Sequence, residues 1–258
     1  MAVDSAPLRV AVDLGGRQPS LAIAGRADHS NISPVLSVLD TLAVEHDRCV
    51  SLDLCALESS DAVAVEKLAC SACVLKDQGK RVHLRNTSDE LRGLVDGLGL
   101  AELFCARSGA CLECEPYVRT AAVDAWSGDR FSFAPSIDCC QNARNRVDQV
   151  ADRAGFDKSD REDVMLAVGE AVTNAIQHGQ NGSGPEAYSV GCMASAGRLC
   201  VLVSDHGAGF DPEALPSLED VMFLERGRGI HCMRAVMDEL TFHFGGGTTV
   251  RMVKLARR

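Results

Sequence analysis

The chain has 258 residues, of which 46% are hydrophobic and 24% are charged, and its formal net charge at pH 7 is −10. This composition is typical of a globular protein and excludes a largely disordered chain, while the length suits one large domain or two ordinary ones. The acidic charge argues against direct nucleic-acid binding, which requires a basic face to neutralise phosphates.

Targeting and membrane-spanning segments are not visible in the sequence. The first ten residues, MAVDSAPLRV, hold Asp4 and Pro7 and lack a basic region followed by an apolar stretch. No uncharged apolar run reaches about 18 residues, so no transmembrane helix is predicted. We therefore expect a cytoplasmic protein without a membrane partner, in which most of the twelve cysteines are reduced.

The first 104 residues alternate short β-like runs with amphipathic helical patterns. Strands are predicted at 8–14, 20–24, 49–54 and 81–84, and helices at 33–45, 62–78 and 88–98. This rhythm predicts a layered α/β domain at 6–104. The periodicity is lost from Cys105 to about Gly128, which indicates a linker over 105–128 before a second domain at 129–258.

The predicted linker contains cysteines at a spacing found in zinc sites. Cys111 and Cys114 are separated by two residues, and Cys105 with Cys139 or its neighbour Cys140 could complete four ligands. The spacing is loose and no histidine falls in the segment, so unliganded thiols remain the favoured alternative.

A helix predicted at 159–179 carries the strongest functional signal. Ser159 and Glu162 have the spacing of a capping box at its start. Two stripes repeat every four residues on different faces, one apolar and one polar: Val164, Val168, Val172 and Ile176, and Glu170, Asn174 and His178. The polar row can present acceptors and metal ligands to a ligand, or it is simply a solvated face.

A second signal follows the apolar run at 199–204. Asp205 ends the predicted strand, and Gly207 and Gly209 form a tight turn after it. A carboxylate in this place can accept a hydrogen bond from an exocyclic amine such as that of adenine, and glycines allow close approach of the backbone. An ordinary Asp-Gly hairpin turn is the alternative.

Two more glycine-rich segments follow toward the C-terminus. Gly227 and Gly229 precede a helix predicted to continue to Leu240, and a helix N-terminus of this kind offers unpaired N–H groups to phosphates. Arg228 adds positive charge beside them. The segment 245–254 predicts a glycine-rich turn and a strand in which Thr248 offers a hydroxyl.

In this order and spacing, the four segments resemble the N box, G1 box, G2 box and final Gly-Thr strand of GHKL ATPases. The strings EAVTNAIQH, DHGAGFDP, GRGIHCMRAVMDEL and GTTV are similar to those of bacterial anti-sigma-factor serine kinases. The resemblance covers about 131–254. It implies a Bergerat-type α/β two-layer sandwich, with ATP held between a helix and a mobile loop at about 215–228.

The same resemblance implies a role for each matched residue. Glu170 is similar to the general base that takes the proton of a substrate serine, and Asn174 to the ligand that holds Mg²⁺ against the phosphates. Asp205 matches the carboxylate that hydrogen-bonds to adenine, and Thr248 matches the threonine that supports this carboxylate. His178 is the last residue of the same polar row. The remaining residues implied to contact the nucleotide are Gly207, Gly209, Gly227, Arg228 and Gly229.

The N-terminal half resembles the STAS fold of anti-anti-sigma factors in the segment DLCALESSDAVAVEKL, residues 53–68. Asp53, Leu54 and Asp61 match the pattern. Val63 stands where that family has its phosphorylatable serine, and valine has no hydroxyl. The STAS-like domain is therefore interpreted as a docking or sensing module, or as a degenerate relic of a switch.

Together the two resemblances imply an ATP- and Mg²⁺-dependent serine kinase that acts as an anti-sigma factor. Its partners would be a sigma factor or a STAS-type anti-anti-sigma protein, and the family expectation is a homodimer. Two alternatives remain open: a non-catalytic module in which ATP sets the shape of a partner-binding surface, and a regulator whose cysteine-rich linker responds to metal or redox state.

Overall fold

The computed structural model describes residues 7–15, 18–45, 49–105, 126–134, 136–179, 188–209 and 228–257. The chain divides into two compact units, Met1–Trp126 and Ser127–Arg258. None of the helices in the described ranges has the length and apolar character needed to cross a bilayer.

The first unit is an α/β domain, as its sequence rhythm predicts. Its sheet has the order β1-β2-β3-β4-β5, with β1 antiparallel to β2 and the other neighbours parallel. In chain order its elements are β1 (Arg9–Asp13), β2 (Ser20–Ala27), α1 (Ser33–Glu45), β3 (Val50–Ser60), α2 (Ala62–Asp77), β4 (Val82–Arg85), α3 (Asp89–Gly97) and β5 (Phe104–Cys105).

Local sequence signals account for the helices of this unit. Helix α1 has the predicted bounds, and its apolar face is buried, with Val35 and Leu39 at 0% exposure. Ser88 caps α3 by accepting a hydrogen bond from the Leu91 backbone N–H at 3.2 Å, which is the role of a serine at an N-cap.

The sequence prediction was wrong about where β3 ends. The strand continues past Leu54 to Ser60, because Ala56–Ser60 pair with the end of β2 across two register shifts. Strand β5 was not predicted at all. It has only two residues, too few for any periodicity to be visible.

The second unit packs helices against a five-stranded antiparallel sheet of order β6-β7-β8-β10-β9. Its core lies between the sheet and the helices and includes Val168 and Val172 at 0% exposure. In chain order its described elements are β6 (Ser127–Phe133), α4 (Ile137–Arg153), α5 (Lys158–His178), β7 (Tyr188–Ser195), β8 (Arg198–Ser204), α6 (Gly229–Val236), β9 (Glu239–Phe244) and β10 (Thr248–Leu255).

Two helix boundaries in this unit differ from the sequence prediction. Helix α5 is capped by Asp157, whose carboxylate accepts from the Asp160 N–H at 2.7 Å, so Ser159 lies inside the first turn rather than at the cap. Helix α6 ends at Val236, and Leu240 lies in β9 opposite Met252. The cause is tertiary, since the Asp238 N–H donates to the Val253 carbonyl of β10 at 2.9 Å.

Candidate functional site

Helix α5 separates an apolar face from a polar one, as its two stripes predict. Val164, Val168 and Val172 are at most 1% exposed and lie in the core. On the polar row, Glu170 and Asn174 are half-buried and His178 is exposed. The row therefore emerges from the core at Glu170 and reaches solvent at the C-terminal end of the helix.

Asp205 is held by the start of β10, the strand that pairs with β8. Its backbone N–H donates to the Thr248 carbonyl at 2.9 Å. Its Oδ1 accepts from the backbone N–H of Gly207 at 2.8 Å and, more weakly, from that of Thr248 at 3.3 Å. Both bonds orient the carboxylate through Oδ1, and Oδ2 accepts none from the residues that the structure describes.

Glycines allow the end of α5 to pack directly against the Asp205 turn. A Cβ built on Gly179 would lie 2.3 Å from the Ala175 carbonyl oxygen and 2.7 Å from Cβ of Asp205. One built on Gly207 would lie 2.4 Å from the carbonyl oxygen of His178. Real Cβ atoms do not approach this closely, so the backbone contact requires glycine at both positions.

The N-terminus of α6 lies against the polar row of α5. A Cβ on Gly229 would lie 2.6 Å from Oε2 of Glu170 and 3.7 Å from Nδ2 of Asn174. One turn into α6, burial raises the pKa of the Cys232 thiol, and the Glu170 carboxylate adds to this shift. The fold thus brings Glu170, Asn174 and the glycine-led helix into one cluster.

The side chains in this cluster suit a metal-bound polyphosphate. Glycine at position 229 lets the N-terminus of α6 approach the Glu170 carboxylate, which a Cβ at this position would displace. Carboxylate and amide oxygens are the donors that Mg²⁺ prefers, and the first N–H groups of a helix attract anions.

Sequence reasoning missed several residues that shape the site. A Cβ on Gly247, which has a φ of +139°, would lie 2.0 Å from the Asp205 carbonyl oxygen. Glycine at this position of the run 245–247 therefore allows the start of β10 to pack against the Asp205 turn. Gly179 appeared in the sequence only as the end of a helix, and Cys232 and Phe244 gave no signal. Strand pairing and helix packing bring these residues to the site, and local patterns do not encode either.

For three other residues predicted from the sequence, Arg228, Gly227 and His178, the structure gives less evidence of a place at the site. Arg228 is exposed and is the residue that precedes the first turn of α6, whereas Gly227 lies outside the described residues. For His178, the backbone carbonyl rather than the exposed ring is what packs against Gly207.

The cysteine proposal is largely untested by the structure. Cys111, Cys114 and the side chain of Cys105 lie outside the described residues. Cys139 is half-buried at the start of α4, with Sγ 2.9 Å from Oγ of Ser136 and 3.3 Å from the Ala134 carbonyl oxygen. Within the described ranges, no three His, Cys, Asp or Glu side chains gather as a metal site.

The strand-to-helix junction of the first unit has no hydroxyl where a STAS switch would carry one. Asp61 caps α2 by accepting from the Ala64 N–H at 2.6 Å, and its other oxygen accepts from the His29 N–H at 3.0 Å. Val63 is completely buried in the first turn. Ser59 and Ser60, upstream of Asp61, are the last residues of β3 and pair with Arg26 and Ala27.

Comparisons with known proteins agree with the two-unit structure. Residues 133–254 match the family model of the histidine kinase-like ATPase domain, and residues 10–105 match that of the Mlab, STAS domain. Serine-protein kinase RsbW of Bacillus velezensis is 36% identical over 113 residues, which are 41% of this chain and 71% of that protein. This chain belongs to the RsbW family.

Other members of the RsbW family match over the same share of the chain. RsbW of Staphylococcus epidermidis is 34% identical over 118 residues, which are 42% of this chain and 74% of the Staphylococcus protein. A solved structure of the RsbU and RsbW domains of a Mycobacterium tuberculosis protein is 22% identical. It covers 50% of this chain and 32% of that one, with a TM-score of 0.39. The family models confirm the resemblance found in the motifs for both units, and the RsbW relatives confirm it for the kinase-like unit.

Proposed function

We propose that this chain is an ATP-dependent protein serine kinase that acts as an anti-sigma factor. In this proposal it binds a sigma factor in one state and, in the other, phosphorylates a serine of a STAS-type anti-anti-sigma protein. The observation that carries the proposal is the contact of Gly229 with Glu170 and Asn174, which joins a candidate base and a candidate metal ligand to a phosphate-binding helix end.

Asp205 would read the base of the nucleotide. Two backbone N–H groups hold its Oδ1, which leaves Oδ2 to accept a hydrogen bond from the exocyclic amine of adenine. Guanine has a carbonyl oxygen at the corresponding place, so the same carboxylate would repel it. The Thr248 N–H donates to the carboxylate and the Thr248 carbonyl accepts from the Asp205 backbone N–H. Gly207 and Gly209 would let the base approach the backbone.

The phosphates would lie between α5 and the N-terminus of α6. Asn174 would hold Mg²⁺ through its side-chain oxygen, and the helix end at Gly229, with Arg228 before it, would receive phosphate oxygens. When bound, Mg²⁺ neutralises charge on the phosphates. The chain itself contributes position and dipoles, which are what phosphoryl transfer chiefly requires.

Glu170 would act as the general base. Its carboxylate would accept the proton of the partner's serine hydroxyl as that oxygen attacks the γ-phosphorus, and ADP would leave. The substrate serine must come from a partner protein, because Val63 occupies the corresponding position in this chain and is buried. We place this exchange in the cytoplasm, where sigma factors act, and expect a homodimer as the acting species.

The test is transfer of labelled phosphate from ATP to a STAS-type protein that carries the helix-start serine. We expect the wild-type chain to label that serine, and Glu170→Gln to lower the rate at least about 100-fold while it still binds MgATP. Asn174→Ala should lose the magnesium-dependent part of nucleotide affinity. Glu162→Gln, an exposed change two turns earlier on α5, is the matched control and should transfer normally.

Two results would contradict parts of this proposal. If Glu170→Gln transfers phosphate as fast as wild type, Glu170 is not the base. If the wild-type chain binds MgATP tightly but labels no partner serine, the second function is favoured, in which nucleotide only sets the shape of a partner-binding surface. The buried Val63 motivates that second function, because the side chain at this position has no hydroxyl that a kinase could phosphorylate.

A further inference from the structure

An aromatic side chain lies beside the turn that follows Asp205. Phe244 is the last residue of the edge strand β9 and pairs with Thr248, the first residue of β10. Thr248 in turn pairs its backbone with Asp205. Phe244 therefore lies at the end of the sheet where Asp205 is held.

Strand alternation places Phe244 on the helix side of the sheet. Side chains on one face of a strand recur every second residue. Phe242 packs against the core beneath the helices, as does its partner Val250. Phe244 and Thr248 follow this pair in register and thus share its face, which is the face that carries α5 and α6.

The Phe244 ring contacts the turn that follows Asp205 but is not enclosed by it. A Cβ on Gly209 would lie 2.9 Å from Cδ1 of Phe244 and 3.6 Å from Oγ1 of Thr248. Gly209 has a φ of +77°, so glycine both permits the turn and makes room for the ring. The side chain remains 38% exposed, so part of the ring surface is accessible to a ligand.

We propose that Phe244 contacts the base of the bound nucleotide and supplies affinity that Asp205 does not. This inference rests on the proposed function, because it assumes that the base is placed beside Asp205. Aromatic side chains stack on nucleobases of any kind, whereas the carboxylate distinguishes adenine from guanine. The two residues thus divide the task, with Asp205 selecting the base and Phe244 holding it.

The experiment measures MgATP affinity of the full chain by calorimetry for Phe244→Leu, Phe244→Tyr and wild type. Leucine keeps apolar bulk over Gly209 without a ring, and tyrosine keeps the ring. We expect Phe244→Leu to weaken binding about 5- to 150-fold and Phe244→Tyr to bind within about threefold of wild type. Phe242→Leu, two residues earlier on the same face, is the matched control. It should lower the melting temperature and leave affinity unchanged.

A spectroscopic measurement separates direct contact from an indirect structural effect. In chain labelled with ¹³C at phenylalanine, MgATP should give nuclear Overhauser effects between ring protons and the adenine H2 or H8, and these should vanish in Phe244→Leu. Wild-type chain that binds MgATP without such a signal, or Phe244→Leu that binds as tightly as wild type, would overturn the inference alone. Wild-type chain that does not bind MgATP would instead remove the proposed function itself.

Discussion

Four glycines bring separate backbone segments together around Asp205 and Glu170. A Cβ on Gly207 or Gly247 would clash with the backbone of another segment, one on Gly179 with the Ala175 carbonyl of its own helix and with Cβ of Asp205, and one on Gly229 with the Glu170 carboxylate. At the first three positions the contacted atoms belong to the backbone or lie next to it, so a side chain there must displace the Asp205 turn or the end of α5. At Gly229 the contacted atom is the end of a side chain that can rotate away. Substitutions at these positions should therefore have different effects.

At the residue scale, Gly229→Ala should impair catalysis without unfolding the protein. The new methyl group would push Oε2 of Glu170 from its place, and displacement of a reacting group by about 1 Å can cost about 100-fold in rate. Alanine is favoured over glycine within a helix, so the melting temperature should not fall. We expect serine phosphorylation to slow about 10- to 100-fold while MgATP still binds.

Gly93→Ala is the control for this change. Gly93 lies in α3 of the first unit, and a Cβ there would meet nothing within 4 Å, so transfer should proceed at the wild-type rate. If Gly229→Ala transfers phosphate at the wild-type rate, the position of Glu170 does not limit the reaction and its assignment as base loses support.

At the element scale, one buried lysine ties together three elements around the site. Lys254 of β10 donates to the Val236 carbonyl at the end of α6 at 2.7 Å and to Asp163 of α5 at 2.8 Å. Its Nζ also lies 3.8 Å from Asp160, which is 1% exposed. The lysine therefore fixes the end of α6 relative to α5, and with it the position of Gly229 over Glu170.

Lys254→Met should destabilise the second unit by about 3 kcal/mol, because it removes the buried cation that bonds Asp163 and the Val236 carbonyl and leaves Arg257, at 3.3 Å, as the remaining positive charge beside the buried Asp160. The measurement is urea-induced unfolding followed by circular dichroism. Lys158→Met is the control: Lys158 is 90% exposed and pairs with Glu162 at 3.7 Å, and exposed pairs contribute less than about 1 kcal/mol. If Lys254→Met lowers the free energy of unfolding no more than this control does, the lysine does not hold β10, α5 and α6 together.

Local sequence signals account for some boundaries of the helices and strands and not for others. The bounds of α1 and the Ser88 cap of α3 follow from periodicity and capping alone, and so does the register that puts Glu170 and Asn174 on one row. The end of β3 and the end of α6 do not follow from local signals. Each is set by hydrogen bonds to a strand distant in the sequence, β2 for the first and β10 for the second, and these bonds override the local preference.

At the scale of the whole molecule, the second unit has a hydrophobic core of its own. All members of the cluster that contains Val168 and Val172 lie between Phe131 and Ala256. Its first strand is held from within as well, since Nε of Arg153 donates to Oγ of Ser127 at 2.7 Å. A unit of this size with its own core meets the usual requirements for independent folding.

We therefore expect a fragment of residues 127–258 to unfold cooperatively and to bind MgATP within about tenfold of the full chain. Thermal denaturation and calorimetry would measure the two properties. The full chain serves as the control. A fragment without a cooperative transition would show that the kinase-like unit depends on the STAS-like one for its stability.

Local sequence patterns identify the residues that could carry the chemistry, namely the spacing of Glu170, Asn174 and His178, the turn at Asp205 and the glycines that precede α6. The contacts of Gly229 with Glu170, of Gly179 and Gly247 with Asp205, and of Phe244 with Gly209 form only when the chain folds. These contacts join segments far apart in the chain. They depend on β10 pairing between β8 and β9 and on α6 packing against α5, and no periodicity within one segment specifies which distant segment it will meet.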